Sequence, residues 1–152
     1  MNLLIRQAKH SDATTIAEFN EAMAIETENI NLNRERLLKG VESLLNDPTK
    51  GEYYIAEVNG VIVGQLMITY EWSDWRNATF WWIQSVYVKK EFRKLGVFRS
   101  LYQFVESLAL ARRDVCGIRL YVETGNGRAQ KAYEALGLNN SHYKMMEKGF
   151  FD

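Results

Sequence analysis

The chain has 152 residues, of which 47% are hydrophobic and 25% are charged, so we expect one soluble domain over residues 1–152. A formal net charge of zero, and no apolar run near the ~18 residues of a membrane span, argue against nucleic-acid and membrane partners. The single cysteine, Cys116, excludes an internal disulfide, and we expect a cytoplasmic protein.

The first third of the sequence predicts one strand followed by two helices. Residues 3–8 are predicted to form the first strand. Ser11-Asp12 offers an N-cap, and apolar residues recur at helical spacing after it. Asn33 can cap a second helix, which is expected to end before Pro48 because a proline disfavours the helical region in the residue before it.

The middle of the sequence predicts an antiparallel meander. Two strands, at residues 53–58 and 61–70, flank Asn59-Gly60. This dipeptide is a strong hairpin signal, because a type I′ turn needs positive φ at both central residues. A polar, aromatic loop at residues 71–77 then leads into a strand at residues 81–88.

The last third predicts strand–helix–strand units. A helix begins after Gly96, and residues 118–122 form a buried strand. Asn126 can cap a further helix, and Gly137 suits the positive φ at its C-terminal end. A short strand at residues 143–147 completes the order β-α-α-β-β-β-α-β-α-β. This order indicates an α/β domain with a mixed sheet.

A phosphate site is predicted where the strand that ends at Val88 meets the next helix. A short basic turn, residues 89–94, follows the strand, and Gly96 stands where the helical pattern begins. The first N–H groups of a helix have no intrahelical partner, and the helix dipole adds positive potential there. The sequence therefore predicts that this turn binds a phosphate.

Two segments resemble a known enzyme family. Val86-Tyr87-Val88 followed by Arg93-Lys94-Leu95-Gly96-Val97 resembles the acyl-CoA signature of the GNAT superfamily of N-acetyltransferases, an Arg/Gln-x-x-Gly-x-Gly/Ala loop after the fourth strand. The later residues Asn126, Ala129, Tyr133 and Gly137 are similar to the second motif of that superfamily. The order of elements also matches, so the resemblance covers nearly the whole chain. It implies a mostly antiparallel sheet of six to seven strands with about four helices.

The resemblance implies that acetyl-CoA is the co-substrate and places it along the first motif. Backbone N–H groups of the loop would bind the pyrophosphate, and nearby cations would add positive charge. Val86 and Val88 would pair with the pantetheine amides at a strand edge that splays from its neighbour. The implied cofactor-binding residues are Val86, Val88, Arg93, Lys94, Leu95, Gly96, Val97, Phe98, Arg99 and Asn126. Phe98 departs from the pattern, since a Gly or Ala is usual there and its bulky side chain must turn away from the phosphate.

Two catalytic residues are expected. Tyr133 matches the general acid of the family, and a tyrosine is protonated at neutral pH. Trp82 stands where some relatives carry a glutamate base, and Gln84 cannot replace that base because an amide does not titrate. Glu71 is our candidate base. The alternatives are Asp74, Glu26, Glu28 and a route through ordered water.

An aromatic group, Tyr70, Trp72, Trp75, Trp81 and Trp82, has two interpretations. It packs and covers the sheet, or it walls an acceptor site and attracts an ammonium group by cation–π contact. Gln84-Ser85 replaces the acidic pair of diamine-acetylating relatives, which weakens a polyamine interpretation. No His, Cys or acidic residues show metal-ligand spacing, so we expect no metal.

The resulting hypothesis is an acetyl-CoA-dependent N-acetyltransferase acting by direct transfer on a primary amine of a small molecule or peptide. The acceptor and the acyl chain are left open, and a homodimer is possible because dimers are common in the family. The alternative is a CoA-binding sensor without turnover, which the departures at Trp82 and Phe98 motivate. Release of the CoA thiol on addition of an amine separates the two.

Overall fold

The computed structural model describes residues 1–151 of the chain. It divides into two compact units, one over residues 1–120 and a second that begins at Tyr121. The prediction of a single domain over residues 1–152 stays a prediction.

The first unit holds five strands and three helices. The strands are β1 (Leu3–Gln7), β2 (Glu52–Val58), β3 (Val61–Ser73), β4 (Ala78–Val88) and β5 (Val115–Arg119). The helices are α1 (Ala13–Glu28), α2 (Arg34–Leu45) and α3 (Val97–Leu110). Two short 3-10 turns, His10–Asp12 and Lys90–Phe92, precede α1 and α3.

The five strands form one sheet in the order β1-β2-β3-β4-β5. β2, β3 and β4 form the predicted antiparallel meander. β1 pairs antiparallel with β2, and β5 joins β4 in parallel after the α3 crossover. Asn59 and Gly60 have φ of 51° and 79°, which confirms the turn between β2 and β3. The side chain of Asn33 accepts from the Arg36 N–H, so the predicted cap of α2 is confirmed.

The sheet is covered on both faces. Four successive residues of β3 are buried, namely Val63, Gly64, Gln65 and Leu66. Burial of consecutive residues indicates that both faces of the strand are covered. A Cβ built on Gly64 would lie 3.0 Å from Val97 in α3, whereas the Gln65 side chain bonds to Asn20 in α1. Because successive side chains point to opposite faces, α1 and α3 lie on opposite sides of β3.

A buried ion pair fixes the start of α1 against the sheet. Arg6 in β1 donates to Asp12 at 2.9 and 3.1 Å and to Glu57 in β2 at 2.7 Å. The Lys9 N–H also donates to Asp12, at 2.7 Å. Burial alone would raise the pKa of Asp12, but the hydrogen bonds from Arg6 and Lys9 outweigh it and lower that pKa.

We expect Asp12→Asn to lower the free energy of unfolding by about 1–2 kcal/mol at pH 7, since it removes one of the two carboxylates that pair with the half-buried Arg6. The folded pKa of Asp12 lies below its unfolded value, so this stabilisation is present above pH ~4 and is lost as pH falls through the lowered value. Urea unfolding at pH 7 and at about pH 3.5 measures both effects. The control Asp114→Asn, at an exposed pair with Arg112, should change stability much less. An equal loss at both pH values would contradict the account.

The second unit contains α4 (Gly127–Ala135). Asn126 caps the helix, with its side chain 3.1 Å from the Ala129 N–H. At the other end Gly137 has φ of 94°. The N–H groups of Leu138 and Gly137 donate to the carbonyls of Tyr133 and Glu134, which is a Schellman motif. Both predicted caps of this helix are therefore confirmed.

The expectation of six to seven strands is wrong, since the described residues form five. Residues 143–147 contain no strand. Their pattern explains this, because the adjacent Met145 and Met146 break the alternation of a half-buried strand. The strand predicted at residues 118–122 lies earlier, at Val115–Arg119, where Gly117 allows the Phe80 ring to approach: a Cβ there would lie 2.8 Å from it.

The loop predicted at residues 71–77 is shorter in the structure. β3 continues through Ser73, and β4 begins at Ala78. Ser73 pairs with Ala78, so the turn is confined to residues 74–77, with Asn77 at φ of 48°. Glu71 is therefore a strand residue that pairs with Phe80, which is a correction to its predicted position.

Candidate active site

The edge of β4 that faces β5 is open over its second half. β4 pairs with β5 from Thr79 to Trp82, because β5 ends at Arg119 while β4 continues to Val88. Within residues 1–151, no strand pairs with β4 beyond Trp82 on that side. Backbone groups there can bind an extended ligand that lies along the strand, as a peptide adds to a sheet edge.

The backbone of Val88 points toward this open edge. On the other side, the Lys89 N–H donates to the Val63 carbonyl at 2.8 Å. Backbone groups of successive residues alternate between the two edges of a strand, so the N–H and C=O of Val88 point away from β3. The pantetheine role of Val86 and Val88 stays a prediction, and at Val88 the direction of the amide suits it.

The loop after β4 turns sharply into α3. Lys94 and Gly96 have φ of 65° and 82°, both in the left-handed region, and α3 begins at Val97. The first helical hydrogen bond runs from the Ser100 N–H to the Gly96 carbonyl at 3.0 Å. The N–H groups of Val97 and Arg99 precede that bond, as expected at a helix N-terminus that binds anions. The loop is exposed, with Leu95 at 56%.

Arg93 connects the loop to the rest of the first unit. Its Nε donates to the Val88 carbonyl at 2.8 Å, and its Nη2 lies 2.8 Å from Glu26 at the end of α1. The guanidinium carbon is 5.4 Å from the centre of the Tyr87 ring. A phosphate at this turn would therefore compete with Glu26 for the Arg93 side chain.

Phe98 turns its ring along α3. The ring lies 6.3 Å from that of the buried Tyr102, one helical turn further on. Tyr102 in turn donates to Glu106 at 2.9 Å. The Phe98 ring therefore packs along α3, and this agrees with the expectation that a bulky side chain here turns away from the phosphate turn.

A β-bulge interrupts β4 just before the open edge. Gln65 pairs with Tyr87 and Met67 with Gln84, so Ser85 and Val86 together face one residue of β3, and Ser85 has φ of 51°. The Gln65 side chain, fully buried, holds the bulge, since its Nε2 donates at 3.1 Å to both the Ser85 carbonyl and the Asn20 side chain. Its Oε1 is buried without a hydrogen-bond partner among the described residues.

Gln65→Leu should lower the free energy of unfolding by about 2 kcal/mol, because it leaves two buried acceptors, on Asn20 and Ser85, without their donor. Gln84→Leu is the matched control. Gln84 is half-buried and donates to Thr69 at 2.6 Å, so its loss should cost about 1 kcal/mol or less. Chemical denaturation of the two variants compares them, and equal losses would contradict the proposed support of the bulge.

A cavity of about 380 Å³ opens beside Ser85. α1 and α2 form most of its walls, and Tyr53 from β2 joins Ser85 and Asn20 at its polar end. Burial raises the pKa of Tyr53, against a smaller lowering by a hydrogen bond with Asn20. The sequence analysis had not identified Gln65, Asn20 or Tyr53. The available signal was Gln65, a polar residue within the apolar run of β3.

Glu71 has the contacts of a structural ion pair. Its carboxylate accepts from the Trp82 indole N–H at 2.7 Å and from Arg119 at 2.9 and 3.1 Å. The hydrogen bond from Trp82, aided by Arg119 against a smaller effect of desolvation, lowers the pKa of Glu71. A lower pKa makes a weaker base. The role of Glu71 as general base stays a prediction, and these contacts favour a role in joining β3, β4 and β5.

The aromatic group does not line this cavity. Trp81 is buried and its ring lies 6.5 Å from that of Tyr70. Trp72 and Trp75 lie toward the far end of the β3–β4 hairpin and are 62% and 86% exposed. The cavity at Ser85 thus favours the packing interpretation for Trp81.

Tyr133 and Asn126 lie in the second unit, on α4 and at its N-cap. Burial raises the pKa of Tyr133, so its hydroxyl stays protonated at neutral pH, as a general acid requires. Asn126 is a helix cap, and its contact with coenzyme A stays a prediction. Among residues 1–151, no group of three or more His, Cys, Asp or Glu could hold a metal ion, and no helix is long and apolar enough to span a membrane.

The fold and the site define a class of protein, an α/β protein in which the fourth strand of the sheet has an open edge and is followed by a loop-to-helix turn suited to anions. The sequence model of the acetyltransferase (GNAT) family matches residues 16–138, so the chain belongs to that family. A comparison with curated proteins gave no significant match.

Solved structures support this assignment. A possible acetyltransferase from Clostridium difficile 630 is 43% identical, with complete coverage of both chains and a TM-score of 0.93. A "predicted acetyltransferase with acetyl-CoA" from Clostridium acetobutylicum is 17% identical, covers 97% and 96% of the two chains and has a TM-score of 0.79. The ribosomal-protein-alanine N-acetyltransferase of Brucella melitensis biovar Abortus 2308 is 18% identical over 99% and 100%, also with a TM-score of 0.79. At these identities, the last two structures show that the fold is similar.

Proposed function

We propose that this chain is an acetyl-CoA-dependent N-acetyltransferase that transfers the acetyl group directly to a primary amine in a ternary complex. The observation that carries the proposal is the open edge of β4, which runs from the cavity at Ser85 to the turn before α3. One extended co-substrate could bind along this path, with its phosphates at the turn and its thioester near the cavity.

In this proposal the first unit holds most of acetyl-CoA. The N–H groups of residues 94–98 bind the pyrophosphate, and the side chains of Arg93, Lys94 and Arg99 supply positive charge. Val86 and Val88 pair with the two amides of the pantetheine arm. Asn126 keeps the co-substrate contact that the family motif assigns to it. Arg93 exchanges its bond to Glu26 for one to phosphate when the co-substrate binds.

The proposed reaction releases one proton overall. The acceptor ammonium loses a proton to solvent, and the amine nitrogen forms a bond to the thioester carbonyl carbon. The C–S bond then breaks, the nitrogen loses its second proton to solvent, and the leaving thiolate takes the proton of the Tyr133 hydroxyl. Tyr133 regains a proton from solvent. No carboxylate is required in this route, which agrees with the ion pairing of Glu71.

The test is release of CoA thiol by the intact chain with acetyl-CoA and a panel of amines. The panel includes a peptide that begins with alanine, because a structural neighbour is named as a ribosomal-protein-alanine N-acetyltransferase. A reaction without amine controls for hydrolysis, and mass spectrometry of the acceptor should show one added acetyl group. Binding of acetyl-CoA without thiol release for any amine would reject the enzyme and favour a CoA sensor.

A further inference from the structure

The cavity beside Ser85 is lined by residues from two turns of α1. Its polar end contains Asn20, and Glu28 lines it eight residues later on the same helix. A helix rises 1.5 Å per residue, so these two positions lie about 12 Å apart along the helix axis. The wall between them is mainly apolar and includes Met23, Leu37 and Val41; the hydroxyl of Thr27, which also lines it, donates to the Met23 carbonyl.

Glu28 is the one charged side chain among the described residues that line the cavity. The neighbouring acids of α1 have partners, since Glu26 bonds to Arg93 and Glu18 and Glu21 lie 3.7 Å from Arg34. Glu28 has no ion-pair partner within residues 1–151. Its carboxylate is therefore available to a cation, at the end of the cavity remote from Ser85.

We propose that the acceptor is a linear diamine, with two ammonium groups joined by an apolar chain. This inference rests on the proposed function and specifies its acceptor. One nitrogen reacts at the end of the cavity near Ser85 and the open edge of β4. The chain lies against the apolar wall, and the second ammonium pairs with Glu28. An acceptor with a distal carboxylate or phosphate would meet Glu28 and no lining cation.

The length of the cavity sets the length of the acceptor. A separation of about 12 Å corresponds to an extended chain of roughly eight carbons between the nitrogens, and flexible side chains shorten or lengthen this span. The sequence had weakened a polyamine interpretation, because Gln84-Ser85 replaces an acidic pair. Glu28 places the acidic group on α1 instead of β4.

The experiment compares three acceptors of equal length: 1,8-diaminooctane, octylamine and 8-aminooctanoate. We expect kcat/KM of the diamine to exceed that of octylamine by up to about tenfold. Its two equivalent amines account for a factor of about two, and a half-exposed ion pair of up to about 1 kcal/mol accounts for up to about fivefold. The aminooctanoate should be the poorest acceptor. The difference should lie mainly in KM, and it should shrink at high salt.

Glu28→Gln should bring the diamine-to-octylamine ratio to about two, the value expected from the two equivalent amines of the diamine alone. Glu18→Gln, an exposed acid of the same helix, should leave the ratio as in the parent chain. A diamine-to-octylamine ratio no higher than about two, or a higher ratio that is unchanged by Glu28→Gln, would overturn the diamine inference while the acetyltransferase activity stands. Absence of thiol release with every amine, although acetyl-CoA binds, would reject both.

Discussion

Tyr133→Phe is expected to reduce kcat at least about a hundredfold, with the Kd of acetyl-CoA changed less than about twofold. The change removes the phenol hydroxyl and keeps the ring, so packing of α4 should be retained. Its proposed role is to protonate the leaving thiolate, and burial raises the pKa of Tyr133, which keeps the hydroxyl protonated. Steady-state rates with a saturating amine and calorimetry with acetyl-CoA measure the two quantities separately.

Tyr143→Phe provides the control, since it removes the hydroxyl of an exposed tyrosine from the same unit. It should leave both kcat and affinity near their parent values. If Tyr133→Phe weakened acetyl-CoA binding as much as it slowed turnover, Tyr133 would be a binding or packing residue and the general-acid role would be rejected.

Gly96→Asp should weaken acetyl-CoA binding about tenfold or more. Gly96 has φ of 82° directly before α3, where the N–H groups are proposed to bind the pyrophosphate. An aspartate there places a negative charge beside the phosphates. This charge repels them and reduces the attraction that the positive end of the helix dipole exerts on them. Calorimetric titration of the folded variant with acetyl-CoA gives the change in Kd.

Gly60→Asp is a closely matched control. Gly60 has φ of 79°, and a Cβ built on either glycine has no atom within 4 Å. Both variants should therefore lose about 1–2 kcal/mol of stability from a left-handed non-glycine residue. Gly60 lies in the β2–β3 hairpin, so its variant should bind acetyl-CoA normally. Equal weakening by the two substitutions would assign the effect to backbone strain and not to the phosphate site.

Local signals in the sequence predicted most of the first unit. Asn59-Gly60 gave the hairpin because its backbone needs positive φ, and Asn33 gave the start of α2 because its side chain satisfies an N–H of the first turn. Gly96 and Gly137 marked helix ends for similar reasons. Each of these features depends on residues that are neighbours in the chain, and pattern analysis can recognise them.

Contacts between distant residues explain what the sequence could not show. Glu71 was a candidate base because it stood in a polar stretch, and its partner Arg119 lies 48 positions away on β5. The bond from Gln65 to Asn20 spans 45 positions and joins α1 to the sheet beneath the bulge. The cavity follows from that packing. Neighbouring residues therefore sufficed to predict elements of the fold, whereas the cavity depends on contacts that no local pattern contains.

Hydrogen exchange of the backbone amides, with and without CoA, tests the central claim most directly. CoA should slow exchange about tenfold or more at Val88 and at residues 94–99, because a ligand would replace water at the open edge and at the start of α3. The turn at residues 74–77 should show no change. Two results would contradict this placement of the co-substrate. One is unchanged exchange at Val88 and at residues 94–99 under saturating CoA, and the other is slower exchange at residues 74–77 alone.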